Sequence, residues 1–518
     1  MRTDRAVVVG SGHNALVAAC YLARAGVDVE VVERDGVLGG AVSTVERWPG
    51  FPTDRGSSAH IMIRHTGIVE ELDLAGAGLE YLDLDPWGFA PFGGEGIHFW
   101  VDLDRTCASI EAVCGTRDAD AYRVFASEWS ARNLAVLRAF CRPPSAAVLL
   151  RGAWDLQRAA RSGPARLGRE MLGSGDALLD RSFRDERLRT ALAWLGSQSG
   201  PPLHQRGTAD LVGWNAVMHL RAPGHPRGGS GMLCHALHRR LASYGGRVRL
   251  GDGAASVTTS GGRVTGVVTD SGEHLPAGTV VLGCHVLAAL DLLGPAVPAR
   301  LAGRARRGIT VGNGIGMVVR LATSGLPRYP AARPETYRSM QLVARSREQL
   351  RAAHAAFTAG RPPADPPVLA MTFSAFDDTL APAGRHNVTV WGQWHPYALA
   401  GGARWDAIAE REGSRLVAAV DAAAPGFASS VQAMHVQTPL DLERELRLPH
   451  GQVMHLPMEL DQMFWRRPVR GLARYAVPHV TGAFLCGAST HPGGGVFGAS
   501  GRSAATAALA TLGGGRRG

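Results

Sequence analysis

The stretch Val7-Val8-Val9-Gly10-Ser11-Gly12-His13-Asn14-Ala15 decides how the rest of this chain is read. Three β-branched residues make a short apolar run that stops at Gly10. Residues 14–25 then carry apolar positions at helical spacing, up to Gly26. Val27 to Glu33 is a second Val-rich run ending in an acid. Strand, tight glycine turn, helix, strand is a βαβ unit. In Gly10-x-Gly12-x-x-Ala15 the first glycine makes the turn and the second lets backbone approach a pyrophosphate. Ala15 sits where only helix–strand packing is at stake. Ser11 and Asn14 belong to the same turn and are candidate contacts. Glu33 places a carboxylate where it accepts the ribose hydroxyls of an adenosine and repels a 2′-phosphate, which argues against NADP.

Beyond the acid come Arg34-Asp35-Gly36-Val37-Leu38-Gly39-Gly40-Ala41. A nicotinamide enzyme has no evident need of this second Gly-Gly, whereas a flavin dinucleotide extends past the first turn. Arg34, Gly39, Gly40 and Ala41 are therefore candidate contacts. Gly56 and Ser57, in Asp54-Arg55-Gly56-Ser57-Ser58, are candidates near the flavin, with an ordinary polar loop as the equal alternative. At the far end, Ala483 to Gly487 reads as a strand. It is followed by His491-Pro492-Gly493-Gly494-Gly495-Val496-Phe497-Gly498-Ala499-Ser500-Gly501 and an Ala-rich helix, Ser503 to Leu512. A helix N-terminus there carries unpaired N–H groups and partial positive charge that would stabilise reduced flavin. A flexible glycine loop is the alternative. Two glycine segments at opposite ends imply one cofactor held by both ends of a folded-back chain.

Composition sets outer limits. At 518 residues the chain is too long for one core. Its mean hydropathy of -0.02 is ordinary, and no run approaches the roughly 18 apolar residues of a membrane span. The Val7–Val9 run is too short for a signal peptide, so a cytoplasmic location is expected. The formal charge is +10, but there is no Lys, so all 55 basic residues are Arg. They are dispersed, which argues against nucleic acid. The densest stretch, Arg132 to Arg169, alternates with apolar residues. It reads as a helical face packed on the substrate domain in preference to membrane docking. Without Lys no side-chain Schiff base can form. Seven Cys without a C-x-x-C pair argue against a disulfide framework, a zinc ribbon and a redox dithiol. His235-x-x-His238 lacks the acidic partner of a metal motif, and no metal is expected.

A third glycine segment, Gly228-Gly229-Ser230-Gly231, precedes a helical stretch from Met232 to Ser243. Short strands follow at 248–250, 255–257, 264–268 and 279–283. Nine of the 11 Trp fall between these cofactor-type segments, in residues 86–225 and 300–440. Long helical patterns, Asp118 to Phe140 and Ala407 to Ala424, lie there too. The fold class is α/β: a Rossmann-like FAD-binding domain (1–85, 226–300 and 441–518) with an inserted α+β substrate domain (86–225 and 301–440). Trp391 and Trp394 read as core aromatics or one wall of a pocket. Gly513 onward reads as a disordered tail.

Three stretches together resemble the phytoene desaturase-related flavoproteins of the amine-oxidase-like superfamily. They are Val8 to Asp54, Gly228 to Gly231, and Thr438 to Ala505, which contains Thr438-Pro439-Leu440-Asp441, Arg467-Pro468 and Leu485-Cys486-Gly487-Ala488-Ser489-Thr490-His491-Pro492-Gly493-Gly494-Gly495-Val496. The similarity is nearest to the subgroup named for a pyridine-nucleotide-disulphide oxidoreductase domain, although no dithiol motif exists here. The resemblance implies non-covalent FAD touched by Gly10, Gly12, Ala15, Glu33, Gly39, Gly40, Ala41, Gly487, Gly495 and Val496. Gly498 lies in the same C-terminal segment, and Ala254 falls where relatives hold the adenine. His491 would lie near the isoalloxazine and substrate, as a catalytic or orienting group or as a turn support. Related amine oxidases keep a Lys near the flavin, and this chain has none. They also keep an Arg after Gly-Gly, where Ala41 stands here. Both departures favour the desaturase side. The expected activity is dehydrogenation forming C=C or C=N in an apolar small molecule, with hydride passing to flavin N5 and electrons on to oxygen or another acceptor. A flavin-dependent isomerase and a non-catalytic lipid-binding escort are the alternatives.

Overall fold

The computed structural model describes residues 5–160 and 163–514. The Val-rich runs become neighbours in a five-stranded sheet. Its order is Ala483–Leu485, Thr279–Leu282, Arg5–Val9, Asp28–Val32, Arg247–Arg249. Every pairing is parallel. Successive side chains point to opposite faces, and both faces are covered, so the strands are apolar without alternation. Ala6 and Val8 pack with Leu16 of helix His13–Arg24, Leu237 of helix Met232–Ser243 and Ala504 of helix Ala499–Gly514. Val7 and Val9 face the other way, onto Val286 and Leu290 of helix Val286–Leu293 and Val257, Val267 and Leu275 of a three-stranded antiparallel sheet.

A second, seven-stranded sheet has the order Val431–Gln437, Gly316–Thr323, His386–Gln393, Val368–Met371, Met340–Val343, Gly88–Phe92, Glu95–Phe99. Its one parallel pairing joins Met340–Val343 to Gly88–Phe92. Helix Trp405–Ala423 covers one face, with Leu416 and Val420 against Val319, Val388 and Val390. A helical layer including Thr116–Phe140 and Glu186–Gly196 covers the other. Trp394 belongs to that packing: it is buried and its Nε1 donates to Gly200 O at 2.8 Å. Trp391 packs beside it, partly buried.

Three expectations are corrected. The C-terminal helix starts at Ala499, not Ser503, and runs to Gly514. Ser500 Oγ donates to Cys486 O at 2.7 Å, which ties the first turn to the preceding strand. Of the expected disordered tail, Gly513 and Gly514 are helical and 515–518 lie outside the described residues. The Arg-rich stretch also divides. Arg132 is buried and paired with Glu170 at 3.0 Å, whereas helix Ala146–Ala159 buries none of its residues. Among the described residues no helix is long and apolar enough to cross a membrane.

Candidate functional site

Gly10 turns the chain with φ 93°, a left-handed conformation that suits glycine, and its N–H donates to Val32 O at 2.8 Å. Gly12 differs. Its φ of -61° suits any residue, yet a β-carbon there would meet no atom within 4 Å. The backbone does not require glycine here, and the space beside it is open. Gly40 faces it, with a β-carbon position 3.9 Å from Gly12 Cα. The helix beginning at His13 has no side-chain cap. Among the described residues, the N–H groups of Gly12, His13 and Asn14 donate to nothing. Free donors at a helix N-terminus form an anion site. His13 Nε2 and Asn14 Oδ1 are closed off from solvent without partners. Burial pushes His13 down to about 4, so it is neutral.

Glu33 organises this turn. Its carboxylate accepts from Ser11 N at 2.7 Å, Ser11 Oγ at 2.9 Å and Asp35 N at 2.9 Å. Three of its roughly four lone-pair sites are thus taken, leaving one for a ribose hydroxyl. Ser11 Oγ in turn accepts from Gly39 N at 3.0 Å. Gly39 needs to be glycine, since a β-carbon would lie 2.3 Å from Val42 O. Ala41 O accepts from Ser57 N at 2.9 Å, and a β-carbon on Gly56 would lie 2.4 Å from the same oxygen. The two turns therefore stand back to back. Arg34 is exposed, and its Cβ lies 2.6 Å from where Gly253 would carry one, beside Ala254 at the start of strand Ala254–Ser260. Glu33, Arg34 and Ala254 thus share one end of the parallel sheet.

The third glycine segment looks alike in sequence and is built differently. Gly228 N donates to Asp377 Oδ2 at 2.9 Å, Gly229 N to Pro226 O at 2.9 Å, Ser230 N to Asp54 Oδ1 at 2.8 Å and Gly231 N to Thr44 Oγ1 at 2.9 Å. Every donor already has an acceptor, so this turn is a junction between chain segments and not a phosphate cradle. Its acceptors are part of a buried network. Asp377 also meets His225 Nε2 at 3.1 Å, and His60 Nε2 meets Ser230 Oγ at 2.8 Å. Asp377 is held low, at about 2, because hydrogen bonds from His225, Thr379 and Gly228 outweigh its burial, the largest single effect. No motif marks Asp377 or His225 in the sequence, because each stands alone there.

At the C-terminal end Gly487 passes so close to the preceding crossover that a β-carbon would lie 2.5 Å from Cys284 O. Gly495 (φ 110°) is exposed, while Val496 takes the left-handed conformation at φ 56° although it is not glycine. A β-carbon on Gly498 would lie 3.0 Å from Ile68 Cδ1. Among the described residues, the N–H groups of Gly494, Gly495 and Val496 donate to nothing, the same signature as at Gly12. The two ends of the chain meet behind these turns. Gly501 lies in the last helix, and a β-carbon there would stand 2.0 Å from Asn14 O.

His491 is fully buried, and its ring nitrogens meet no side-chain partner, with the Ala139 backbone beside them. Its ring stands edge-on to Phe140 at 5.6 Å between centroids and is tilted against Phe464 at 5.7 Å. Phe140, Met463 and Phe497 form an apolar cluster with Met62, Trp214 and Met458. Burial, reinforced by the Arg467 cation, pushes His491 down to about 4. Arg467 is itself wholly buried, donating to the carbonyls of Met454, Leu456, Pro457, Gln462 and Ala488. The aromatic wall joins Phe140 and Trp214 of the inserted segment to Phe464 and Phe497 of the C-terminal one, and could not be assigned to His491 from sequence alone.

A Rossmann-like sheet, two uncapped glycine turns and a neutral apolar site between them define an FAD-dependent oxidoreductase. The donors suit a dinucleotide's phosphates, and the orphaned His13 and Asn14 atoms suit its polar edges. A model for NAD(P)-binding Rossmann-like domains matches residues 8–72. The chain is 32% identical to pyridine nucleotide-disulfide oxidoreductase domain-containing protein 2 of Rattus norvegicus, over 96% of this chain and 92% of the relative. It belongs to that family, among the phytoene desaturase-related flavoproteins. It is also 28% identical to a phytoene dehydrogenase of Streptomyces griseus, over 95% of this chain and 92% of the relative. Among solved structures, an oxidoreductase from Methanosarcina mazei shares the fold with a TM-score of 0.62 at 14% identity, covering 98% of this chain and 100% of the other. A putrescine oxidase variant shares it with a TM-score of 0.61 at 14% identity, covering 99% of each chain.

Proposed function

We propose that the protein dehydrogenates an apolar small molecule, forming a C=C bond. The observation that carries this reading is the His491 environment: a lysine-free site walled by Phe140, Phe464 and Phe497, whose neighbour Trp214 donates to Asp210, a carboxyl that burial pushes up to about 6. A hydrocarbon chain would find matching surface against these rings. Bound FAD supplies the hydride acceptor. Gly12, Gly40 and the free N–H groups at His13 and Asn14 hold its phosphate end, and Gly494 to Val496 meet its other end.

His491 serves as an orienting group more than as a base. With its pKa at about 4, placing a proton on it at pH 7 is uphill by about 4 kcal/mol. A ring nitrogen can still donate to or accept from a polar substituent. The apolar wall excludes water from the reacting carbon. The test is anaerobic mixing of the yellow holoenzyme with apolar amine-free and amine substrates. Bleaching of the flavin by the former supports dehydrogenation. Product formed without net bleaching would mean isomerisation, and bleaching by amines alone would refute the apolar assignment.

A further inference from the structure

Strand Gly316–Thr323 is buried along its whole length, and Arg320 is the one charge in it. Met317, Val319 and Leu321 face helix Trp405–Ala423, so Arg320 points the other way, beside Thr389 of the neighbouring strand. It is 1% exposed. Its guanidinium donates to Thr389 Oγ1 at 2.8 Å, Ser58 Oγ at 3.2 Å and Gly56 O at 3.0 Å, and its Nε donates to nothing. All three acceptors are neutral. Among the described residues Arg320 pairs with no carboxylate. Asp54 and Glu445 attract it from beyond contact, and Arg47 opposes them. Both acids are engaged elsewhere: Asp54 by Thr44 Oγ1 at 2.7 Å and Ser230 N at 2.8 Å, Glu445 by Arg47 at 3.1 Å and Gln437 Nε2 at 3.0 Å. A buried cation without a paired acid is costly to keep.

The Gly56 oxygen opens a chain of peptide groups. In a trans peptide the C=O and the following N–H point opposite ways. Across the Gly56–Ser57 peptide, Ser57 N donates to Ala41 O at 2.9 Å. Across the Ala41–Val42 peptide, Val42 N donates to Gly39 O at 3.0 Å. The Gly39–Gly40 peptide ends in the Gly40 N–H, which takes no acceptor among the described residues, and Gly40 faces Gly12. We propose that Arg320 is a positioning residue for the diphosphate of FAD, its charge polarising these three peptides in series and strengthening the Gly40 N–H as a donor to phosphate. Hydrogen bonds in series reinforce one another in a low-dielectric interior, and a charged donor at the head makes the first of them strong. Gly39 to Val42 carry no charged side chain. Arg320 therefore brings positive charge to that turn from the sheet of the inserted domain. The inference rests on the FAD site and not on the identity of the substrate.

The test is calorimetric titration of the flavin-stripped full chain with FAD, ADP and riboflavin. Arg320→Met should weaken FAD and ADP about tenfold each and leave riboflavin, which has no diphosphate, unchanged. Arg320→Lys keeps the charge and should recover most of the loss. Arg320→Gln keeps an N–H donor without the charge and should match the methionine variant, and it takes that variant's place if methionine prevents folding. Unchanged affinity for FAD and ADP overturns the proposal, as does an equal loss for riboflavin or a lysine variant as weak as methionine. A stripped variant that unfolds early while all three affinities hold would leave Arg320 as a tie between the domains, which also overturns it. No titration involves turnover, so failure here leaves the dehydrogenase reading standing. Loss of that reading would show instead in the anaerobic flavin assay.

Discussion

Substituting Gly12→Ala separates cofactor binding from folding. The added methyl meets no protein atom within 4 Å, and the backbone there, φ -61° and ψ 156°, accepts alanine. Stability of the FAD-free protein should therefore hold, or rise by about 0.4–1 kcal/mol through the lower entropy of the unfolded chain. The same methyl stands where a pyrophosphate approaches the free N–H groups of Gly12, His13 and Asn14. Losing one charge-assisted hydrogen bond costs about 1.5–3 kcal/mol. That is a tenfold to hundredfold weaker Kd for FAD. Thermal unfolding of the stripped protein, followed by titration with FAD, reads both quantities on one sample. Wild type should gain Tm with added FAD, and the variant should gain much less. An FAD affinity equal to wild type, or a stripped protein that unfolds several degrees early, would refute the assignment of that space to the cofactor.

Gly501→Ala should show the opposite pattern: its β-carbon would lie 2.0 Å from Asn14 O, so both FAD-free and loaded forms should lose about 1–3 kcal/mol in denaturant unfolding. Asp377→Ala leaves His225, Gly228 N and Thr379 without their acceptor. A loss of about 3 kcal/mol or more is expected, and a loss under 1 kcal/mol would contradict the junction role of the glycine turn. His491→Phe removes a buried imidazole whose nitrogens have no side-chain partner, so stability should stay level or rise while turnover falls; a marked loss of stability with turnover intact would count against the orienting role. Stability should also fall on acidification. Burial lowers His98, His285, His395 and His491 to about 4 in the folded state, against 6.5 for an exposed histidine. Between those values the unfolded chain binds protons that the folded chain does not, so stability drops as pH falls through that window. A flat denaturation midpoint from pH 6.5 to 4.5 would rule this out.

Both uncapped glycine turns were legible in the sequence because bare backbone beside a strand end leaves a mark that needs no partner to be read. Helix Thr116–Phe140 was legible through its periodicity, and lies within two residues of its expected start. The Gly228–Gly231 turn misled because the pattern records the turn but not the destination of its donors. Asp54, Thr44 and Asp377 decide that, and they are remote in sequence. The early start of the last helix was hidden for the same reason, since the anchor of Ser500 is Cys486 O and Gly501 is shaped by Asn14. The exposure of helix Ala146–Ala159 was half visible. Its residues alternate as an amphipathic helix should, but only packing shows which side faces outward.

The order of the parallel sheet has a consequence for biosynthesis. Its central strand is Arg5–Val9, and the strand at one edge, Ala483–Leu485, is made almost last. The helix that backs the first glycine turn is later still. A nascent chain on the ribosome thus holds its first turn without the helix that steadies it until residues 499–514 have been made. Contacts this distant in sequence close slowly and leave apolar strand surface uncovered meanwhile. Cofactor capture is then a late event, and a chain truncated before Ala499 should emerge colourless and aggregation-prone, however intact its N-terminal fingerprint.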